Sequence, residues 1–158
     1  MIKIGFSKDI HRLEKGITLM LAAVNIPSPH GPIAHSDGDV ILHAVSEAIL
    51  GALALGDLGA HFPPSIRKTK GMASTVIIEG VMKMMKAEGF HVSNVDVFVS
   101  LEEPKLAPHI MVLRQNLSYL LETDVKNVSI KAGTNEGLDS VGRKEAIEAT
   151  ATVLLTND

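Results

Sequence analysis

The stretch 39–55 constrains the fold of this 158-residue chain more than any other. Ser36 and Asp37 are good N-cap residues, the run from Asp39 through Leu55 is rich in Leu, Ile and Ala, and Gly56 follows as a stop. A helix is predicted here that is apolar nearly all the way round, so it must be buried on most of its faces. His43 and Glu47 interrupt it, and it is short for a membrane span. An imidazole set among Val, Leu and Ala needs a polar partner.

The remaining segments suggest what surrounds that helix. Residues 2–7 alternate apolar with small or polar types and read as a strand. Glu14-Lys15-Gly16 is a turn signal, 17–21 is the expected hairpin partner, and Pro27, Pro29, Gly31 and Pro32 predict a rigid loop. A loop over 57–71 carries Pro63-Pro64 and the basic Arg67, Lys68 and Lys70, and a second helix covers 74–88 before Gly89. Residues 95–101 alternate and are β-branched, as in a central strand. A short loop framed by Pro104 and Pro108, a helix over 109–121, a strand over 128–132 and a Gly-rich loop over 133–142 follow. The last segment, 144–155, reads as a helix. With no repeat, low-complexity tract or dividing linker, the expectation is a single domain, 1–158, of the α+β class. Its architecture is a two-layer sandwich, a mixed β-sheet with helices on one face.

Composition removes whole classes of function. Cysteine is absent, which excludes disulfides, thiolate zinc sites, iron–sulfur clusters and cysteine nucleophiles, so any metal must be held by His and carboxylates. Aromatic residues are 3% with no Trp, leaving little to stack on nucleic-acid bases. The net charge of −3, without a basic run, argues against a nucleic-acid or anionic-membrane surface. The N-terminus shows no secretory signal pattern, so the expectation is a cytoplasmic protein, or the mature form of an organellar one. A mean hydropathy of +0.22, high for a soluble chain, hints at buried subunit interfaces.

Several constellations could carry chemistry. Asp9 and His11 stand two apart at the end of the first strand region, and side chains at i and i+2 of an extended chain share a face. With His43 they offer two nitrogens and one carboxylate oxygen, the ligand set of a catalytic zinc whose fourth position is open. On spacing alone the commoner arrangement is Asp9 capping a turn, His11 solvated and His43 a hydrogen-bonded core histidine, because Asp-x-His is a common triplet. His35-Ser36-Asp37-Gly38-Asp39 precedes the helix, where free N–H groups and the positive dipole end suit a phosphate. Asp39 and His43 are i and i+4, so Asp39 could orient the imidazole. Gly133-Thr134-Asn135-Glu136-Gly137 offers close backbone approach, a hydroxyl and a carboxylate for a hard divalent ion. An ordinary polar connection fits that segment as well.

These pieces occur in one order, and in that order the chain resembles the 2-C-methyl-D-erythritol 2,4-cyclodiphosphate synthases of the non-mevalonate isoprenoid pathway. The matching text is Asp9-Ile10-His11, Ala34 through Val40 with His43, Gly56-Asp57-Leu58-Gly59 with Phe62-Pro63, and Asn94 through Val97. It continues in Pro104-Lys105-Leu106 with Pro108-His109-Ile110, Val128 through Thr134 with Glu136, and Gly142-Arg143 with Glu145. Lys8, Pro64, Glu102-Glu103, Gly133-Thr134-Asn135 and Ser140 depart from the family pattern.

The resemblance implies a metal-assisted intramolecular phosphoryl transfer. It converts 4-diphosphocytidyl-2-C-methyl-D-erythritol 2-phosphate to the 2,4-cyclodiphosphate with release of CMP. Asp9, His11 and His43 would hold one zinc per subunit. Asp9 and His11 would also border the substrate, and His35 with Ser36 would hold its 2-phosphate. Asp57 and Gly59 would receive the methylerythritol hydroxyls, and Pro104, Lys105, Leu106 and Ala107 would line the cytidine pocket. Thr134 and Glu136 would contact the diphosphate, Glu136 through magnesium or manganese, and His35 and Thr134 would act in catalysis. The family is a homotrimer with sites between subunits, which places Arg143 near the axis. A zinc phosphoester hydrolase and a trimeric binding protein without turnover are the competing readings.

Overall fold

A computed structural model describes residues 1–63 and 72–158, and Pro64 with the basic residues Arg67, Lys68 and Lys70 lies outside them. The long first strand, β1 (Ile2–Lys15), is followed by β2 (Leu19–Leu21), β3 (Val24–Ile26) and β4 (His30–Pro32). Helices α1 (Val40–Leu53), α2 (Leu58–His61) and α3 (Ser74–Ala87) come next, then β5 (His91–Ser100) and α4 (Ile110–Leu120). The chain ends with β6 (Val128–Gly133), α5 (Asp139–Gly142) and β7 (Ala146–Thr156).

Five strands form one mixed sheet in the order β4-β1-β7-β5-β6, with only the β5–β6 pair parallel. The inward residues Val95, Val97, Val99, Ile147, Ala149, Ala151 and Val153 are buried in one core with α1. The opposite face leaves Ile2, Ile4, Phe6, Ile10 and Phe98 exposed. The expected two-layer architecture is therefore present. Eleven of the fourteen residues of α1 are buried, as its all-round apolarity demands.

Four expectations need correction. The segment 144–155 is not a helix: β7 occupies the middle of the sheet, between β1 and β5. Its helix-favouring Ala residues are there because small inward side chains let α1 approach, while Glu148, Thr150 and Thr152 face the other way with period two. Residues 19–21 pair with β3 and not with the first strand. The hairpin partner of β1 is instead β4, inside the predicted proline loop, with Glu14 opposite Gly31. Finally, β1 runs to Lys15, so Asp9 and His11 stand within the strand.

Gly5 sets the distance between the layers. A Cβ there would fall 1.9 Å from the Ala48 carbonyl oxygen and 3.0 Å from the Ala52 Cβ. Only glycine lets the helix backbone rest directly on β1. That contact hangs the first turns of α1 over Asp9 and His11.

Candidate functional site

Along β1, Gly5, Asp9 and His11 share the face beneath α1, and His43 projects from the first turn of that helix towards them. Asp9 Oδ2 lies 3.1 Å from His11 Nε2 and 3.1 Å from His43 Nδ1, and the two nitrogens are 3.4 Å apart. Among the described residues no other three His, Asp or Glu side chains converge in this way. Lone-pair atoms so close repel unless a proton or a metal cation lies between them. Tetrahedral zinc with bonds of about 2.0–2.1 Å would set its ligand atoms about 3.3–3.4 Å apart, so the spacing suits a divalent metal of that size. All three side chains are half-buried, which leaves one side of the cluster open.

The charge gathered here favours a cation between these groups, a proton included. Burial pushes the Asp9 carboxyl up, but hydrogen bonds and charge from His11 and His43 outweigh it and hold the group well below the usual carboxylate range. Burial lowers His43, yet its bond to Asp9 and the negative charges of Asp9, Asp39 and Asp37 raise it overall. The other ring nitrogen, Nε2, is 3.1 Å from Ser36 Oγ and 3.0 Å from Ser74 Oγ.

Asp39 does not orient His43. It is the N-cap of α1 and is fully buried, and its Oδ1 accepts from Leu42 N–H at 3.1 Å. The same carboxylate accepts from Ala22 N–H at 3.0 Å and Ala23 N–H at 2.7 Å. Those alanines form the β2–β3 turn with φ of 46° and 61°, a conformation that non-glycine residues enter reluctantly. Asp39 therefore joins the helix start to a strained turn. Burial pushes its carboxyl up to about 6 against the pull of the Ala23, Leu42 and Ala22 N–H groups.

A cavity of about 250 Å³ opens beside Asp9, His11 and His43, and His11, His35, Ser36, His43 and Gly59 line it together with apolar Phe62 and Ile77. Asp57 is the N-cap of α2, its Oδ1 accepting from Ala60 N–H at 2.8 Å. Glu47 accepts from Leu58 N–H at 2.8 Å and so ties α2 to α1. Glu47 and Ser74 contribute without any motif to mark them. The one available signal was that Glu47 and His43 interrupt the same face of an apolar helix, four residues apart.

A second cavity, about 190 Å³, lies between the 101–107 segment and the end of β6. It gathers Pro104, Lys105, Leu106, Ala107 and Thr134. Glu102 also borders it, but its Oε1 accepts from Asn135 N–H at 2.7 Å, latching the two walls together. Glu103 pairs with Lys144 at 3.1 Å, while Glu102 keeps its charge and is held by a neutral N–H. Glu136 sits beside Thr134, the hydroxyl donating to Glu136 Oε1 at 3.3 Å. Arg143 lines neither cavity and pairs with Glu145 at 3.2 Å. Lys8 pairs with Glu148 at 2.9 Å. Register relates the two clefts: Asp9 is opposite Ala149, Ala149 opposite Val99, and Val99 opposite Ala132. Three interstrand steps of about 4.8 Å put them about 14 Å apart at one level of the sheet.

Residues 2–156 match the family model described as the YgbB family. A 2-C-methyl-D-erythritol 2,4-cyclodiphosphate synthase of Acinetobacter baumannii is 47% identical over 156 residues, covering 99% of this chain and 98% of that protein. A protein of the same name from Desulfitobacterium hafniense is 44% identical over 155 residues, covering 98% of each. A solved structure of such a synthase, titled as its CDP-bound form, superposes with a TM-score of 0.91 at 37% identity. The match covers 98% of this chain and 100% of that one.

Proposed function

The chain belongs to the YgbB family, and from that membership we propose that it is a lyase closing 4-diphosphocytidyl-2-C-methyl-D-erythritol 2-phosphate to 2-C-methyl-D-erythritol 2,4-cyclodiphosphate in isoprenoid precursor biosynthesis. An oxygen of the 2-phosphate attacks the β-phosphorus. The bond from that phosphorus to the oxygen shared with the α-phosphate breaks, and CMP leaves with that oxygen. No protein nucleophile is needed, so the chain's task is to position two anionic groups and to neutralise charge on the phosphoryl oxygens.

The observation that carries this reading is the convergence of Asp9 Oδ2, His11 Nε2 and His43 Nδ1 beside a cavity bordered by Ser36 and His35. Those three ligands would hold zinc, which when bound polarises a phosphate oxygen and offsets its charge. Ser36 and His35 receive the 2-phosphate. Asp57 and Gly59 hold the methylerythritol hydroxyls, over the apolar wall made by Phe62 and Ile77. In the second cavity, Pro104 to Ala107 enclose the cytidine and Lys105 supplies a cation. Thr134 donates its hydroxyl to the diphosphate. Glu136 offers a carboxylate to magnesium or manganese, which binds readily through one carboxylate and substrate phosphates.

Each chain acts within a cytoplasmic homotrimer. Its support is the apolar outer face of the sheet, where Ile2, Ile4 and Phe6 are largely exposed and Phe98 partly so in a single chain. Closure on that face draws Arg143 toward the axis and lets a neighbouring subunit complete each site. Incubating the purified chain with the diphosphocytidyl substrate and zinc plus magnesium tests the function. CMP and a cyclic diphosphate in equal amounts are expected. Free phosphate without the cyclic product would make the protein a phosphoesterase, and no release of CMP would make it a binding protein.

A further inference from the structure

Ser74 opens α3 with no exposed surface, 31 residues beyond His43. Its hydroxyl contacts Asp37 Oδ1 and lies 3.0 Å from His43 Nε2. Its backbone N–H donates to Asp37 Oδ2 at 3.1 Å. Ala73, at the cap position of α3, provides no side-chain cap. Asp37 takes that place from another part of the chain, at the positive end of the helix dipole.

Hydrogen-bond bookkeeping fixes the direction of this chain of contacts. An ionised carboxylate only accepts, so the single hydroxyl proton of Ser74 goes to Asp37, and the Ser74 oxygen presents lone pairs to His43. His43 Nε2 must then carry the ring proton. In the neutral ring, the form that can ligate a metal, that leaves a lone pair on Nδ1, the atom facing Asp9 Oδ2 and His11 Nε2. Ser36 Oγ also lies within reach of Nε2, at 3.1 Å, and accepts from Gly38 N–H at 3.1 Å. With no carboxylate behind it, and bordering the cavity, Ser36 keeps its proton for a phosphate.

We propose that Ser74 and Asp37 are positioning residues of the metal centre. They form a relay, His43 Nε2–H to Ser74 hydroxyl to Asp37 carboxylate, that commits His43 to ligation through Nδ1 and holds its ring over Asp9 and His11. The inference rests on the metal-binding reading given above. It also gives Asp37 a function that its place in the loop before α1 does not suggest, because its partner lies at the start of α3.

The test is competition of Zn²⁺ between a chromophoric chelator and the metal-depleted full chain, for wild type, Ser74→Ala, Asp37→Asn and the double variant. Loss of an outer partner of a ligand histidine weakens metal binding by about 10- to 100-fold, and Ser74→Ala should fall in that range. Asp37→Asn should weaken binding in the same direction. Because both act through one path, the double variant should match Ser74→Ala within about twofold. Cobalt-loaded Ser74→Ala should show a shifted visible absorption band, which a purely structural role would leave in place. Tight zinc binding by wild type with both variants unchanged overturns the relay, and so do losses that multiply in the double variant. If Ser74→Ala does not fold, Asp37→Asn alone decides. A wild type that binds no zinc would instead sink the metal-centre reading itself.

Discussion

Replacing Phe6 by Asp tests whether the outer face of the sheet is an interface. Ile2, Ile4 and Phe6 are 68%, 69% and 67% exposed in the single chain, in alternate positions on one face of β1. Fully burying such a side chain stabilises by about 1.5–3 kcal/mol, so covering the exposed two-thirds is worth about 1–2 kcal/mol each. Three side chains from each of three subunits then give about 9–18 kcal/mol, a sizeable part of the about 4–15 kcal/mol that each of the two association steps costs. Phe6→Asp removes about 3–6 kcal/mol from the trimer before any carboxylate is desolvated. That alone raises the dissociation constant by about a hundredfold to ten-thousandfold. Sedimentation velocity across the micromolar range should show wild type as a trimer and the variant as a monomer. Asp9, His11 and His43 lie on the opposite face, so the monomer should keep its metal while losing CMP release. A wild type that sediments as a monomer throughout, or a variant that is equally trimeric, refutes the reasoning.

Gly5→Ala should lower the denaturant midpoint, because overpacking costs about 1–3 kcal/mol and the helix backbone must move away. It should weaken metal binding as well, since His43 moves with α1, and unchanged metal affinity would show that Gly5 does not set the site. Asp39 has a carboxyl raised to about 6 in the folded chain, so the stability it contributes is full below about pH 4 and is withdrawn as pH rises through about 6. Urea midpoints of wild type should therefore fall relative to Asp39→Asn by about 3 kcal/mol equivalent over that window, and a pH-independent difference would contradict it. Glu136→Gln should require more magnesium for turnover. An unchanged magnesium dependence would remove Glu136 from the site.

The metal cluster was legible because its signals are local. Two ligands at i and i+2 share a strand face, and the third is a lone imidazole in an otherwise apolar helix. The all-round apolarity of α1 likewise announced its burial, and with it the layered fold. β7 was not legible in the same way. Its Ala-rich composition favours a helix, and only the alternation of Ile147, Ala149, Ala151 and Val153 with Glu148, Thr150 and Thr152 marks the strand. Asp39 lay four residues from His43 and invited the role of its orienting partner. Tertiary contact with the Ala22–Ala23 turn claimed its carboxylate instead. Ser74 could not be found from spacing, because its two partners lie on segments joined to it only by the fold.

The most direct measurement is elemental analysis of wild type and His43→Ala, each purified without added metal, with CMP release followed on the same samples. One zinc per wild-type chain with CMP release, and a folded variant lacking both, is the expected result. A variant that retains one zinc per chain, or a metal-free wild type that turns over at full rate, would contradict the assignment of Asp9, His11 and His43 to one cation.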